Sequence, residues 1–305
     1  MKLVRWQRSM GISIMEVCVM AKAEEYLKCK EIFMGEYERS VRQWLKDRHS
    51  DESVVKMIPF FEDGIVCPAK WFEEQNSFRP LFILKECSVG KNYVSELKEY
   101  YEEWKGITRF DHVGDEFGDI RIGANKFKGN NPWLRIVKLS YGLKTAFEER
   151  SFCNYEDVCD VSFIKGKSNP NNISGEKVYE YATANEHFIS MVNQIAVVNI
   201  KKVGGGTTTD SELSAETFDY FEHVEKPLGD LLYKQIVEMI NPTVIVFCSP
   251  DISFLMKKTY GASLTDKYIC LDGYHPTMTS NEKFYDRPVK QYLRKLNEND
   301  ENMDR

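Results

Sequence analysis

Three polar residues that can do acid–base chemistry or read a ligand, Glu86, Asn199 and His275, each follow a short apolar run. A carboxylate can activate a water molecule or stabilise a developing positive charge. A neutral imidazole can donate a hydrogen bond to a developing anion, and a carboxamide offers both a donor and an acceptor. The three residue types therefore indicate one reactive or ligand-binding site, provided that the fold brings them together.

The apolar runs before these residues predict the strands of a parallel sheet. Each run is unbroken rather than alternating, which is typical of strands covered on both faces. Ligands of such open sheets bind beyond the carboxyl ends of the strands, where we expect Glu86, Asn199 and His275 to meet. The runs are Leu81-Phe82-Ile83-Leu84, Ile195-Ala196-Val197-Val198, Val244-Ile245-Val246-Phe247 and Tyr268-Ile269-Cys270-Leu271.

Helical patterns alternate with these runs and predict an α/β fold. The expected architecture is a three-layer α/β/α sandwich with a central, mainly parallel four-stranded sheet. Residues 1–65 are interpreted as an N-terminal helical extension, residues 66–296 as the α/β/α domain and residues 297–305 as a polar tail. The spacing of apolar residues predicts helices over residues 23–46, from residue 132, and over residues 176–192, 211–240 and 281–296.

The composition favours a globular protein without a metal or a cofactor. The 305 residues are 42% hydrophobic and carry a net charge of −6, which argues against a generic nucleic-acid binder but allows a local basic cleft. Eight scattered cysteines without a Cys-x-x-Cys motif predict a reduced, cytoplasmic protein with no structural metal. The glycine run at residues 204–206 lacks a P-loop ending, so no nucleotide cofactor is expected. No apolar stretch reaches the length of a membrane span, and no signal-peptide cleavage pattern is evident.

The order of the polar residues resembles that of the uracil-DNA glycosylase superfamily. The segment Lys85-Glu86-Cys87-Ser88-Val89-Gly90 stands where the first motif of the family follows strand one, with Glu86 at the position of the water-activating carboxylate. Asn199 and Lys202 match the asparagine and the lysine after strand two. The most specific match is His275-Pro276-Thr277, which is similar to the His-Pro-Ser of the second motif. The resemblance covers roughly residues 78–285.

This resemblance implies a monofunctional DNA glycosylase, which hydrolyses the N-glycosidic bond of uracil or a modified base and leaves an abasic site. Glu86 and His275 would be catalytic, with Glu86 facing the attacking water and the sugar, and His275 facing the departing base. The flipped base would be read by Asn199 and stacked on Phe110 or Phe127. Contacts with DNA are expected from Lys85, Lys201, Lys202, Thr277 and Ser280.

Departures from the family pattern bear on the substrate. The proline and the first glycine of the first motif are missing, Thr277 replaces serine, and no close cysteine pair matches the iron–sulfur ligands of some branches. Extra segments at residues 107–131 and 151–175 favour a pocket that differs from that of a housekeeping uracil enzyme. Some members of the superfamily act in bacterial defence by excising modified bases, such as glucosylated hydroxymethylcytosine, from phage DNA. A wider pocket is compatible with such a base.

Two other classes of function stay open from the sequence. The chain can be a non-catalytic nucleic-acid-binding module that keeps the same scaffold. It can also be an unrelated α/β hydrolase of small molecules, in which Glu86 and His275 act on a different bond, although no Gly-x-Ser-x-Gly elbow is present.

Overall fold

The fold is known from a computed structural model, which describes most of the strands and helices around the sheet. The described residues are 14–48, 52–58, 60, 63–85, 132–155, 158, 191, 194–203, 217–226, 230–276 and 280–303. The predicted helix over residues 176–192 lies outside them except for Met191.

The described residues form an α/β fold around a five-stranded mixed sheet with the strand order β1-β3-β2-β4-β5. Strand β2 pairs in parallel with β3 and β4, and β4 pairs in parallel with β5. The prediction of four strands was one strand short, because β1 adds an antiparallel edge to β3. The strands are β1 Gly64–Ile65, β2 Pro80–Leu84, β3 Ala196–Asn199, β4 Val244–Phe247 and β5 Ile269–Asp272.

Both faces of the sheet are apolar, as the unbroken runs predict. Every residue of β2, β3 and β4 is buried. Phe82 and Leu84 belong to one hydrophobic cluster, and Leu81 and Ile83 belong to a second one. Because successive side chains of a strand point to opposite faces, a strand that is buried on both sides must be apolar at every position.

Helices cover both apolar clusters. The cluster that contains Phe82 is completed by α4 and α8, and the cluster that contains Leu81 is completed by α5, α6 and α7. The described helices are α1 Ile14–Lys46, α2 Glu52–Met57, α3 Pro68–Trp71, α4 Pro132–Glu149, α5 Leu231–Lys234, α6 Pro250–Tyr260, α7 Ala262–Thr265 and α8 Arg287–Met303. Three π-helical turns accompany them, at Phe221–Glu225, Gln235–Ile240 and Glu282–Asp286.

Local signals explain where several helices begin and end. The Ser249 hydroxyl accepts a hydrogen bond from the Asp251 N–H at 3.2 Å, and Pro250 occupies the first turn of α6. The predicted continuous helix over residues 211–240 was wrong, because Asp230 is in the left-handed conformation and separates two helical segments. Helix α8 continues to Met303, so most of the predicted polar tail is helical.

The N-terminal helix α1 packs against the sheet edge. Its buried Tyr37 and Trp44 share a hydrophobic cluster with Tyr220 from the region before β4. The Tyr26 hydroxyl accepts a hydrogen bond from the Ile65 N–H of β1 at 3.0 Å. Strand β1, which we assigned to the N-terminal extension, therefore joins α1 to the main sheet.

Candidate functional site at the carboxyl edge of the sheet

The carboxyl ends of the four parallel-paired strands meet at one edge. Leu84 lies opposite Asn199, and Phe247 lies opposite both Ile83 and Asp272. The ladder extends beyond the strands, since the Lys201 N–H donates to the Lys85 carbonyl oxygen at 3.0 Å and the Gly273 N–H donates to the Phe247 carbonyl oxygen at 2.9 Å. The predicted convergence of the strand ends is confirmed. His275 is the third residue after β5 and lies in the loop at this edge.

His275 is half-buried in the loop that follows β5. Burial lowers the pKa of its imidazole below the ordinary range, because a charged ring is poorly solvated there. The ring is consequently neutral at pH 7 and can donate one hydrogen bond without carrying charge. A neutral imidazole can stabilise a developing anion by donating a hydrogen bond to it.

A buried polar network, the Asp63 cluster, occupies the β3 side of this edge and consists of Asp63, Asn199, Lys202 and Gln235. The Lys202 ammonium lies 2.8 Å from both carboxylate oxygens of Asp63. It also donates to the Asn199 carbonyl oxygen at 2.7 Å and to the Gln235 side-chain oxygen at 3.1 Å. Gln235 completes the network by donating to Asp63 at 3.0 Å.

Lys202 is fully engaged inside this cluster. Its side chain and that of Asp63 are both 0% exposed, and the ring of Tyr37 lies 5.4 Å from the Lys202 ammonium. A buried ion pair of this kind is held by its hydrogen bonds, and loss of either partner leaves an uncompensated charge in the core. To contact a phosphate, the Lys202 ammonium would have to leave Asp63, so its DNA contact stays a prediction.

Asn199 belongs to the same cluster. Its backbone N–H donates to Asp63 at 2.7 Å, its side-chain amide lies 3.4 Å from the same carboxylate oxygen, and the residue is 1% exposed. To contact a base edge, this amide would have to leave Asp63. In the described arrangement Asn199 ties the end of β3 to the residue before β1.

The two other lysines at the edge are also buried. Lys85 is 8% exposed and Lys201 is 1% exposed. In the described arrangement neither side chain presents its charge to a strand of DNA at the surface, and their DNA contacts stay predictions. Their adjacent backbones, joined by a hydrogen bond, fix the point at which the chain leaves β2.

Ser280 lies at the start of the helical segment that leads into α8. Its hydroxyl accepts a hydrogen bond from the Lys283 N–H at 3.3 Å, and its carbonyl oxygen accepts one from the Phe284 N–H at 3.1 Å. The hydroxyl thus stabilises the first turn, and the residue is only partly buried. Its contact with DNA stays a prediction.

The remaining predicted site residues lie outside the described residues. They are Glu86, Phe110, Phe127 and Thr277. Consequently, the pairing of Glu86 with His275 and the stacking of a base on either phenylalanine stay predictions.

Sequence reasoning missed Asp272, the last residue of β5. Its carboxylate accepts hydrogen bonds from the Ser253 hydroxyl and from the Lys257 ammonium, the latter at 2.7 Å. Partial burial raises the pKa of this carboxyl, but the hydrogen bonds from Lys257 and Ser253 outweigh burial and hold the pKa below its ordinary value. The signal was present in the sequence, because Asp272 ends an apolar run and is followed by Gly273.

No family model, curated protein or solved structure matches the chain. Among the described residues, no three His, Cys, Asp or Glu side chains are grouped closely enough to hold a metal ion. None of the described helices combines the length and the apolar character that crossing a membrane requires.

Proposed function

We propose that the chain is a monofunctional DNA glycosylase that acts at the carboxyl edge of the sheet. The single observation that carries the proposal is the convergence of the strand ends at one edge, with His275 in the loop that follows β5. In the sequence, Glu86 is the second residue after β2. The lowered pKa of His275 supports it further, because the reaction uses a neutral donor. The substrate class is uracil or a modified base in DNA, including the modified cytosines of phage DNA.

The proposed fold is a three-layer α/β/α sandwich like that of the uracil-DNA glycosylase superfamily. Support comes from the hydrophobic clusters on both faces of the sheet, each of which includes side chains from helices. The parallel pairing of β3, β2, β4 and β5 is compatible with this fold, with β1 as an added edge.

The reaction breaks the bond between the anomeric carbon of the deoxyribose and a nitrogen of the base. The bonding electron pair leaves with the base, and the oxygen of a water molecule bonds to the anomeric carbon. Glu86 accepts a proton from that water and stabilises the positive charge that develops on the sugar. His275 donates a hydrogen bond to the base as it becomes an anion. A charged imidazole is not needed for this step, which agrees with the burial of His275.

A second candidate function is a non-catalytic nucleic-acid-binding module on the same scaffold. The Asp63 cluster favours it, because Asn199 and Lys202, which match residues of the family pattern, are engaged in holding the sheet edge. In that case the pattern reflects the scaffold and not its chemistry. The two candidates differ in whether a base is released.

Base release from a panel of defined duplexes tests the proposal. Each duplex carries one uracil, one hypoxanthine or one glucosylated hydroxymethylcytosine, and abasic sites are revealed by strand cleavage in alkali. We expect release from at least one duplex by the wild-type protein and a loss of about 10²-fold or more in the Glu86→Gln variant. Glu24→Gln, an exposed change on α1, is the matched control and should leave the rate unchanged.

The outcomes separate the candidates. DNA binding without release from any duplex would exclude these glycosylase substrates and support the binding module. Release that is equally fast in Glu86→Gln and in the wild type would remove Glu86 from the mechanism. The absence of both release and DNA binding would favour a hydrolase of small molecules.

A further inference from the structure

Two shallow grooves meet beside the loop of His275, at Tyr274 and Arg287. One has a volume of about 590 Å³ and runs along the start of α8. The other has a volume of about 560 Å³ and lies between α6 and the end of β5. We call them together the Tyr274 grooves. Tyr274 and Arg287 line both, so one extended ligand can pass from one groove into the other.

The lining of the Tyr274 grooves is basic on a chain whose net charge is −6. The acidic side chains that line them are Asp272, Glu282 and Asp286. The six basic side chains are Lys257, Lys258, Lys283, Arg287, Lys290 and Arg294, so the basic residues outnumber the acidic ones by three.

Half of these basic side chains are neutralised by a neighbour. Lys257 pairs with Asp272 at 2.7 Å, Lys290 with Asp286 at 3.7 Å and Arg294 with Glu298 at 3.7 Å. The remaining three, Lys258, Lys283 and Arg287, are exposed and have no carboxylate within 4.0 Å in the described part of the chain. Three cations without a close carboxylate therefore lie at one groove junction, although Arg287 still interacts at longer range with Asp272 and the acidic Glu282 lines the same groove.

An aromatic ring lies between two of these cations. The Lys283 ammonium is 5.7 Å and the Arg287 guanidinium is 5.8 Å from the centre of the Tyr274 ring. Arg287 also donates to the Tyr274 hydroxyl at 3.5 Å. A planar ring among cations that have no close carboxylate can stack on a base while the cations meet phosphates, which is how grooves that track a nucleic-acid strand are built.

We propose that the Tyr274 grooves bind the phosphate backbone of a DNA strand. Lys258, Lys283 and Arg287 contact phosphates, and Tyr274 packs against a base or a sugar. An acidic peptide is the less favoured occupant, because it does not carry a stackable base beside each negative charge, as a DNA strand does. The proposal extends the proposed function, since Tyr274 immediately precedes His275, but the binding of DNA can be measured without any base release.

The salt dependence of DNA binding tests the grooves directly. The ligand is a fluorescein-labelled 20-base-pair duplex, and the affinity is measured by anisotropy between 50 and 200 mM NaCl. With about three phosphate contacts, the slope of log K against log salt should be about −2.7, which is about a 40-fold loss over that range. The double variant Lys283→Gln/Arg287→Gln should lower the slope to about −1 and weaken binding at 0.1 M salt about 60-fold.

The matched control removes the same charge elsewhere. Lys28 and Lys56 are exposed on α1 and α2 and line neither groove, so Lys28→Gln/Lys56→Gln should keep the wild-type slope. An equal loss of affinity in both double variants would overturn the proposal, because binding would then follow overall charge. Competition by polyglutamate as effective as that by unlabelled DNA would also overturn it, in favour of an acidic protein partner.

This experiment and the base-release assay fail independently. Groove-dependent DNA binding without release of any base would leave the grooves assigned and remove the glycosylase. Base release together with unchanged binding in the groove variant would remove the grooves alone.

Discussion

The Asp63 cluster and the Tyr274 grooves place lysines of the same sheet edge in opposite environments. In the cluster, the Lys202 ammonium is fully buried and is neutralised by Asp63 and by amide oxygens. In the grooves, Lys283 is exposed and has no carboxylate within 4.0 Å in the described residues. The first arrangement stabilises the fold and excludes a ligand, whereas the second leaves charge available to a polyanion. Position near a strand end therefore does not determine what a lysine does.

The strongest test of this contrast removes the buried charge. Lys202→Met keeps most of the side-chain volume but removes the cation that pairs with the buried Asp63 carboxylate, so the free energy of unfolding should fall by about 3–5 kcal/mol. Urea denaturation measures the change. Lys283→Met is the matched control and should stay within about 0.5 kcal/mol, because it is exposed and unpaired. A loss below 1 kcal/mol for Lys202→Met would contradict the structural role of the cluster.

A smaller loss is expected when a neutral member of the cluster is removed. Gln235→Leu deletes one acceptor for Lys202 and one donor to Asp63 but leaves the ion pair itself in place. The free energy of unfolding should fall by about 1–3 kcal/mol, the cost of unsatisfied buried polar groups. The exposed change Gln75→Leu is its control. If Gln235→Leu is as damaging as Lys202→Met, the cluster depends on its amide and not on its ion pair.

The smallest effect on stability is expected in the grooves. Asp272→Asn weakens the contact with Lys257, but the side chain of Asp272 is 37% exposed, so solvent screening limits the loss to about 0.2–1 kcal/mol. The same change should strengthen DNA binding, because it adds one uncompensated cation to the grooves. Asp266→Asn, on an exposed surface away from them, should do neither. Weaker DNA binding by Asp272→Asn would contradict the assignment of the grooves.

The carboxyl of Asp272 also makes the stability of the protein depend on pH. The pKa of Asp272 is lower in the folded chain than in the unfolded chain, so its contribution is complete above the unfolded pKa and is lost as the pH falls through the folded pKa. Wild type and Asp272→Asn should therefore differ in stability at neutral pH and converge in acid. Urea denaturation of both proteins at pH 7 and in acid measures this, and a difference that grows in acid would contradict the lowered pKa.

The sequence predicts the parallel strands well, because their pattern is local. The run Val244–Phe247 is strand β4 without any shift, and the other three predicted runs overlap strands β2, β3 and β5. The edge strand Gly64–Ile65 overlaps only at Ile65 with the strand-like run Ile65-Val66-Cys67 of the sequence, and Gly64 reads there as part of a turn. Its two residues gain a defined position from pairing with β3, which is a tertiary contact.

The spacing of the site lysines in the sequence does not show which of them are buried in ion pairs and which are exposed. Lys202 and Asp63 are 139 positions apart in the chain, so nothing local indicates that they form a buried pair. The basic residues that line the groove along α8 were predictable in principle as one exposed face, because Lys283, Arg287, Lys290 and Arg294 recur at helical spacing. The apolar runs predict the edge of the sheet, whereas burial and partners decide which of its residues can meet a ligand.

The most direct test of the central claim is the single-turnover rate of base release for a matched pair of histidine variants. His275→Ala removes the neutral donor at the carboxyl edge, and His223→Ala removes an exposed histidine from the turn Phe221–Glu225. On whichever duplex of the panel the wild type cleaves, we expect His275→Ala to be about 10²-fold slower, with unchanged DNA binding, and His223→Ala to match the wild type. Equal rates for the two variants would contradict a catalytic centre at this edge of the sheet.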